Sequence, residues 1–116
     1  MKLPYNTVLV GMAGEPMIKT PEAKNEKGEI VPAVPLTLKD VLLTAFSVAH
    51  KDDDSLKAAD KYAMGKLGYD IGKEADLTVD EVAKVKERVG QVMIPSYVFP
   101  VWNLIEGAAK AGEVQA

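Results

Sequence analysis

The sequence contains no cysteine and a single histidine, and each shortage narrows the chemistry open to the chain. Without cysteine there is no disulfide, no thiolate nucleophile and no cysteine-based metal site. One histidine cannot supply the two or three imidazole ligands typical of zinc sites, and no Ser-His-Asp or Cys-His set can be assembled around it. We therefore expect no cofactor and no metal, and we interpret the chain as a non-enzymatic protein.

Long apolar runs and an excess of positive charge are missing as well. No stretch of about 18 apolar residues occurs that would predict a membrane span, and residues 1–6 lack the apolar segment of a signal peptide. Together with the lack of cysteine, this favours a cytoplasmic protein. The net charge is −3, from 14 basic and 17 acidic residues. Charges of both signs are interleaved, as at Lys84, Lys86, Glu87 and Arg88, which is typical of a solvated helix face, so we expect no nucleic acid partner.

The 116 residues suffice for one domain, and they fall into two unlike parts. Residues 1–35 hold five of the seven prolines and two short β-prone runs, Thr7–Val10 and Glu29–Val31. Between these runs, Lys24–Glu29 is a polar turn in which Gly28 can adopt a positive φ. Because proline cannot donate to a β-ladder, any strands here are edge strands. The pattern predicts an N-terminal β-hairpin or an extended arm.

Residues 36–112 change to helical periodicity and are followed by a tail, 113–116, that we expect to be frayed. Thr37 with Asp40, and Thr78 with Glu81, predict capped starts for a first and a third helix. Each start precedes an apolar stripe at three- and four-residue spacing. The stripe of the first helix comprises Leu38, Val41, Leu42, Ala45, Phe46 and Ala49, and that of the third comprises Val79, Val82, Val85, Val89 and Val92.

Two weaker patterns predict a second and a fourth helix. The second carries the stripe Leu56, Ala59, Ala63 and Leu67 and ends between Gly68 and Gly72. Pro95 ends the third helix, and the fourth begins at Ser96 with Pro100 in about its first turn. The predicted fold class is therefore α+β and mostly α: an N-terminal β-hairpin or extended arm followed by a bundle of about four helices.

Several motifs that could carry chemistry have simpler interpretations. We interpret His50 as a favourable charge at the carboxyl end of the first helix. Asp52–Asp54 lacks the central glycine of a calcium loop, so we expect a solvated loop that caps the second helix. Gly65-Lys66 lacks the flanking residues of a phosphate loop. Gly11 and Gly14 alone do not make up the glycine-rich motif of a dinucleotide-binding site.

An aromatic cluster near the fourth helix is the most informative feature. Tyr97, Phe99 and Trp102 lie within six residues of one another, close to Met93. They either close the core between the third and fourth helices or form an interface, where tyrosine and tryptophan are common. We take these four residues, with Tyr5 on the arm, as a possible interface. The arm itself is a second candidate for docking onto another chain.

Four segments carry a resemblance to a known family. They are Leu-Thr-Leu-Lys-Asp-Val-Leu at 36–42, Leu-Thr-Val-Asp-Glu at 77–81, Lys-Glu-Arg-Val-Gly at 86–90 and Leu-Ile-Glu-Gly at 104–107. They resemble a family of short bacteriophage and prophage proteins that carry no assigned activity. The likeness covers about residues 36–107 and leaves the arm uncovered. It implies a phage origin, and hence a place in the host bacterial cytoplasm, and it supports no catalytic residue.

These observations favour a phage-type accessory protein that acts by protein–protein binding or self-assembly, as a homo-oligomer. An oligomeric small-molecule binder is the alternative, in which lysine or arginine near a helix amino terminus would receive the phosphates of a nucleotide. A metal-dependent enzyme that uses carboxylates is the least favoured. The partner, the stoichiometry and the choice between a role in virion assembly and one in host takeover do not follow from the residues.

Overall fold

The computed structural model describes residues 2–48 and 50–115, without the side chains of residues 52 and 110–115. Within these residues, two antiparallel strand pairs precede four α-helices, which confirms the predicted α+β, mostly helical class. The elements in chain order are β1 (Ile18–Thr20), β2 (Ala23–Lys24), β3 (Ile30–Val31), β4 (Val34–Pro35), α1 (Leu38–Ser47), a 3₁₀ turn (Lys51–Ser55), α2 (Ala58–Gly72), α3 (Val79–Val92) and α4 (Pro95–Gln115).

The four strands form one long hairpin, in which β1 pairs with β4 and β2 pairs with β3. Its tip is built locally: Asn25 Oδ1 accepts hydrogen bonds from the backbone N–H groups of Lys27 and Glu29, each at 2.9 Å. Gly28 adopts a φ of 78° there, as predicted. The turn prediction is thus confirmed, but the strand that faces β3 is Ala23–Lys24 and not the predicted run at 7–10.

Residues 2–10 belong to the helical body and not to a free arm. Val8 forms a bridge with Thr37, and the Leu9 N–H donates to the Leu36 carbonyl at 2.9 Å. Leu9 is fully buried, and Leu3 joins it in the same core. The hairpin, residues 18–35, projects from this body and is exposed throughout. The chain has a radius of gyration of 16.0 Å, larger than the roughly 13–14 Å expected for a compact domain of this length.

Both predicted capping boxes are present. Thr37 Oγ1 accepts from the Asp40 N–H at 3.3 Å, and Asp40 Oδ2 accepts from the Thr37 N–H at 3.1 Å. Thr78 and Glu81 make the same reciprocal pair at 3.1 and 2.9 Å. These bonds satisfy amides at the helix start that have no partner within the helix. Because every partner lies within four residues, the sequence alone is enough to predict them.

Helix α1 lies at the centre of the body and contacts α2, α3 and α4. Val79 was predicted to face this core but is 81% exposed, since as the first residue of α3 it points away from α1. Apart from the ring of Tyr5, the fully buried core is aliphatic. Its helical members are Leu38, Val41, Leu42 and Ala45 from α1, Leu67 and Ile71 from α2, Val82, Val85 and Val89 from α3, and Val101 and Ile105 from α4.

Helix α2 packs through its second half only. Ala59 and Ala63, which we predicted to be part of a buried stripe, are exposed. The close approach to α1 occurs farther along, at Gly68, where a Cβ atom would lie 3.2 Å from Phe46 Cβ. The buried residues of α2, Leu67 and Ile71, both lie in its second half, whereas residues 58–63 are exposed.

Several predicted boundaries shift. Helix α1 ends at Ser47, and Ala49 lies outside the described residues. Helix α4 begins at Pro95, one residue before the predicted start, so Pro100 falls in its second turn. The same helix continues to Gln115, beyond the predicted boundary at residue 112, and residue 116 is not described.

Candidate functional site

The predicted aromatic cluster is divided between the core and the surface. Tyr97, Trp102 and Met93 are half-buried and pack against the core, whereas Phe99 is 62% exposed. Along α4, Val101 and Ile105 face inward, so Phe99 lies on the opposite, outer side. Tyr97, Trp102 and Met93 therefore belong to the core, and the interface interpretation stays a prediction that now depends on Phe99.

Trp102 connects α4 to α3 through a hydrogen bond and a cation–π contact. Its Nε1–H donates to the Lys86 carbonyl at 3.1 Å, and the Lys86 ammonium lies 4.7 Å from the centroid of the tryptophan ring. The same ammonium pairs with Glu106 at 3.0 Å. Gly90 lies beside the ring, where a Cβ atom would be at an ordinary van der Waals distance of 3.5 Å from Trp102 Cζ2. This cation–π and hydrogen-bonded contact holds the surface around Phe99 in place.

Phe99 stands between two open grooves. One, of about 580 Å³, runs along the junction of α3 and α4 past Met93 and Trp102. The other, of about 360 Å³, lies between α4 and the loop that carries Val10 and Met12. Phe99 and Asn103 line both grooves. We call this combined area the Phe99 surface; its apolar members are Val10, Met12, Met93, Val98, Phe99 and Trp102.

Tyr5, the fifth predicted interface residue, lies in the core. It is 2% exposed, and its hydroxyl donates to the Ala75 carbonyl at 2.6 Å. Burial, together with the nearby carboxylates of Asp76 and Glu74, raises the pKa of Tyr5 to about 12. Its predicted interface role is wrong, because the enclosed ring cannot reach a partner. It instead joins the first residues of the chain to the segment after α2.

A polar site that we did not predict joins Arg88 to Asp53. Arg88 Nη1 and Nη2 donate to the two Asp53 oxygens at 2.6 and 3.0 Å. Nε and Nη2 also donate to the carbonyls of Ala45 and Val48 at 2.9 and 2.8 Å. Arg88 is 5% exposed, so its assignment to a solvated helix face is wrong. One guanidinium thus binds the end of α1 and the 3₁₀ turn to α3.

The acidic triplet therefore differs from the predicted cap. Lys57 is the N-cap of α2 and makes no side-chain capping bond. Asp53 instead accepts from Arg88 and from the His50 N–H, and these bonds lower the pKa of its carboxyl group to about 2. His50 lies beyond the end of α1 and not in its last turn. The side chain of Asp52 is not described.

A cavity of about 230 Å³ adjoins this ion pair between α2 and α3. Met64 and Leu67 lie on one wall, and Lys84 and Glu87 on the other. Four of the five N–H groups of Arg88 already have acceptors in the chain, and Asp53 neutralises its charge. The guanidinium is thus occupied as a structural clamp, which argues against the nucleotide-binding alternative at this position.

In the described part of the chain, no group of three or more histidine, cysteine, aspartate or glutamate side chains could hold a metal ion. Within the same residues, no helix combines the length and the apolar character needed to cross a membrane.

The position of Arg88 in the sequence already indicates that its side chain faces the core. It lies three residues after Val85 and one before Val89, within the inward-facing stripe of α3. An arginine in such a stripe is buried only when acceptors surround it. The stripe therefore indicated that Arg88 needs a partner, but it could not identify Asp53, which lies 35 residues away.

Comparison with known proteins adds no relative. No family model matches this chain, and neither a curated protein nor a solved structure matches it. The resemblance to phage and prophage proteins therefore stays a prediction.

Proposed function

We propose that this protein acts without catalysis, by self-association through the Phe99 surface, as a phage-type accessory protein in the bacterial host cytoplasm. The observation that carries the proposal is the position of Phe99, which is 62% exposed between two apolar grooves. Met12, on the far side of one groove, is 71% exposed. Because helix α4 holds Phe99 in an exposed position, its side chain can insert into a complementary surface.

The composition of the Phe99 surface resembles the central part of a protein–protein interface. Such centres are enriched in aromatic residues and methionine and depleted in charge. Here Phe99, Trp102 and two methionines lie together, and the polar residues Asn103 and Glu106 accompany them. Water would have to hydrate this apolar area in a monomer, at a cost of about 25 cal/mol per Å² relative to its burial. Burial between copies removes that cost.

The rigidity of the area supports the same conclusion. Trp102 is held by its hydrogen bond to Lys86, and Pro100 is buried next to Phe99. A surface that is already ordered loses little conformational entropy on binding, so more of the apolar burial appears as affinity.

Light scattering coupled to size-exclusion chromatography tests the proposal. We expect the full chain to elute as an oligomer and the Phe99→Asp variant as a monomer with unchanged helical circular dichroism. Tyr62→Asp is the matched control, because Tyr62 is an aromatic residue of α2 that is 76% exposed and lies on neither groove. A wild-type chain that stays monomeric at high micromolar concentration would refute self-association.

A further inference from the structure

We infer that the Phe99 surface of one copy receives the β-hairpin of a second copy, and that the two copies exchange hairpins reciprocally. The hairpin here means residues 18–35, from β1 to β4. This inference rests on the proposed self-association and names the segment that fills the surface.

The hairpin carries apolar side chains that its own chain does not cover. Ile18, Ile30, Val31 and Val34 are 50, 63, 42 and 45% exposed. Ile30 and Val31 are consecutive strand residues, so they point to opposite faces of the ribbon. One chain's body could cover only one of these faces. Both faces being apolar therefore favours a partner.

The hairpin also lacks the support that a stable ribbon needs. A two-stranded hairpin alone is at best marginally stable in water. In the described part of the chain, the ion pair that ties this ribbon to a helix is at its base, where Lys19 Nζ lies 3.2 Å from Asp40 Oδ1. The outer pair, β2 with β3, has two unpaired edges. Contact with a second copy would supply the missing packing.

The area needed for a stable complex requires both parts. A standard interface buries about 800 Å² per partner, close to a tenth of the 7785 Å² surface of this chain. An exposed apolar side chain of this size presents on the order of 100 Å². The Phe99 surface with neighbouring Ile94 therefore offers only about half of that area, because its strongly exposed side chains are Val10, Met12, Ile94 and Phe99.

The hairpin supplies the other half, since it has four exposed side chains of similar size. If α4 packed only against α4 of the partner, the apolar side chains of both hairpins would stay exposed to water. If each copy contributes both its hairpin and its Phe99 surface, the area reaches the standard value. The reciprocal arrangement is thus the one that the area favours.

The two parts adjoin each other in one chain. Val10, which lines the groove beside Phe99, forms a bridge with Pro16 just before the hairpin begins. Met17 then packs against the core. A short segment thus connects the groove to the base of the hairpin, and a two-fold arrangement in which each hairpin reaches the groove of the other copy would close as a dimer.

Crosslinking between single-cysteine variants tests the inference, and the natural lack of cysteine means that each variant carries one thiol. Ile30→Cys marks the hairpin, Asn103→Cys marks the Phe99 surface, and Tyr62→Cys serves as the control. Ile30→Cys labelled with nitrogen-15 is mixed with unlabelled Asn103→Cys and treated with a short bismaleimide, and mass spectrometry separates mixed from homogeneous products. We expect the mixed product to exceed that of the Ile30→Cys and Tyr62→Cys pair several-fold.

The other outcomes separate the two proposals. A dominant Asn103–Asn103 product would mean that α4 packs on α4, which overturns hairpin exchange and leaves self-association standing. Equal crosslinking to Asn103→Cys and Tyr62→Cys would indicate random collision and overturn the exchange as well. Absence of any product from a chain that light scattering shows to be monomeric would refute both proposals.

A second variant needs no chemical reagent. Replacing both Ile30 and Val31 with lysine keeps the turn at Asn25 and Gly28, and Glu26→Lys at the tip is the control for added charge. We expect the double variant to weaken self-association several-fold, as Phe99→Asp does, and Glu26→Lys to leave it unchanged. An oligomer that persists in the double variant would overturn the exchange without affecting the proposed self-association.

Discussion

The guanidinium of Arg88 and the carboxylate of Asp53 form a two-point ion pair, with N–O distances of 2.6 and 3.0 Å, that joins α3 to the 3₁₀ turn before α2. The same guanidinium also donates to two carbonyls at the end of α1. Its N–H groups therefore bond mainly to the protein and not to water. Three segments that are distant in the sequence thus meet at one buried side chain.

Replacing Arg88 should destabilise the chain strongly. Arg88→Met removes the guanidinium donors from Asp53 and from the carbonyls of Ala45 and Val48, so we expect the free energy of unfolding to fall by about 3 kcal/mol. Arg88→Lys should recover only part of this loss, because an ammonium cannot make the two-point contact. Urea denaturation measures both. Lys84→Met, on the exposed side of α3, is the control and should cost less than about 0.5 kcal/mol; equal losses for Lys84→Met and Arg88→Met would contradict the clamp.

The ion pair also predicts a dependence on acid. The pKa of Asp53 is lowered from 3.8 to about 2, chiefly by the hydrogen bonds from Arg88. A lowered pKa means that the pair contributes its full stabilisation above about pH 4 and loses it as the pH falls toward about 2. Carbon-13 NMR titration of the Asp53 carboxyl group should show its midpoint near the lower value, and in Arg88→Met the midpoint should move back toward the ordinary one. A wild-type midpoint close to that of an exposed aspartate would disprove the pairing in solution.

The raised pKa of Tyr5 predicts that the stability of the protein depends on pH in the alkaline range. The pKa of Tyr5 is raised from 10.0 to about 12, first by burial. The stabilisation from the protonated hydroxyl is therefore complete below about pH 10 and is lost as the pH rises toward about 12. Tyr5→Phe should cost about 1 kcal/mol at neutral pH, because the Ala75 carbonyl loses its donor, and should reduce the alkaline loss. Thermal unfolding at several pH values measures both effects, with the exposed Tyr62→Phe expected to change neither.

Two glycines of α2 form a matched pair. Nothing lies within 4 Å of a Cβ atom placed at Gly65, whereas at Gly68 it would lie 3.2 Å from Phe46 Cβ. Alanine favours a helix over glycine by about 1 kcal/mol, so Gly65→Ala should raise the free energy of unfolding by up to that amount. Gly68→Ala should be the less stable of the two variants, since its methyl group pushes α1 away from α2. Equal gains in chemical denaturation would mean that the α1–α2 contact yields easily.

Features whose partners lie close together in the chain could be predicted. The capping boxes at Thr37 and Thr78 use residues three positions apart, and the turn at Asn25 closes within four. Helical periodicity likewise predicted the buried positions of α1 and most of those of α3. In each case, the stabilising contact and the pattern that reveals it occupy the same short stretch of sequence.

Features that depend on residues far apart in the sequence could not be predicted. Val8 pairs with Thr37 and not with the strand of the hairpin, and Tyr5 reaches a carbonyl 70 residues away. Ala59 fits an apolar stripe yet is exposed to solvent in the first turn of α2. The local pattern marks a residue as able to be buried, whereas burial requires a second element at the right place.

The sequence by itself therefore determined the helices, the capped starts of α1 and α3, the tight turn of the hairpin and the aromatic composition around residue 99. Only the tertiary structure decided that Tyr5 is enclosed, that Arg88 clamps Asp53, and that Phe99 faces outward while Trp102 packs inward. The physical reason is the separation in sequence between the residues that interact. Capping and turn bonds form between neighbours in the chain, but exposure and charge pairing follow from how α1, α3 and α4 are placed against each other.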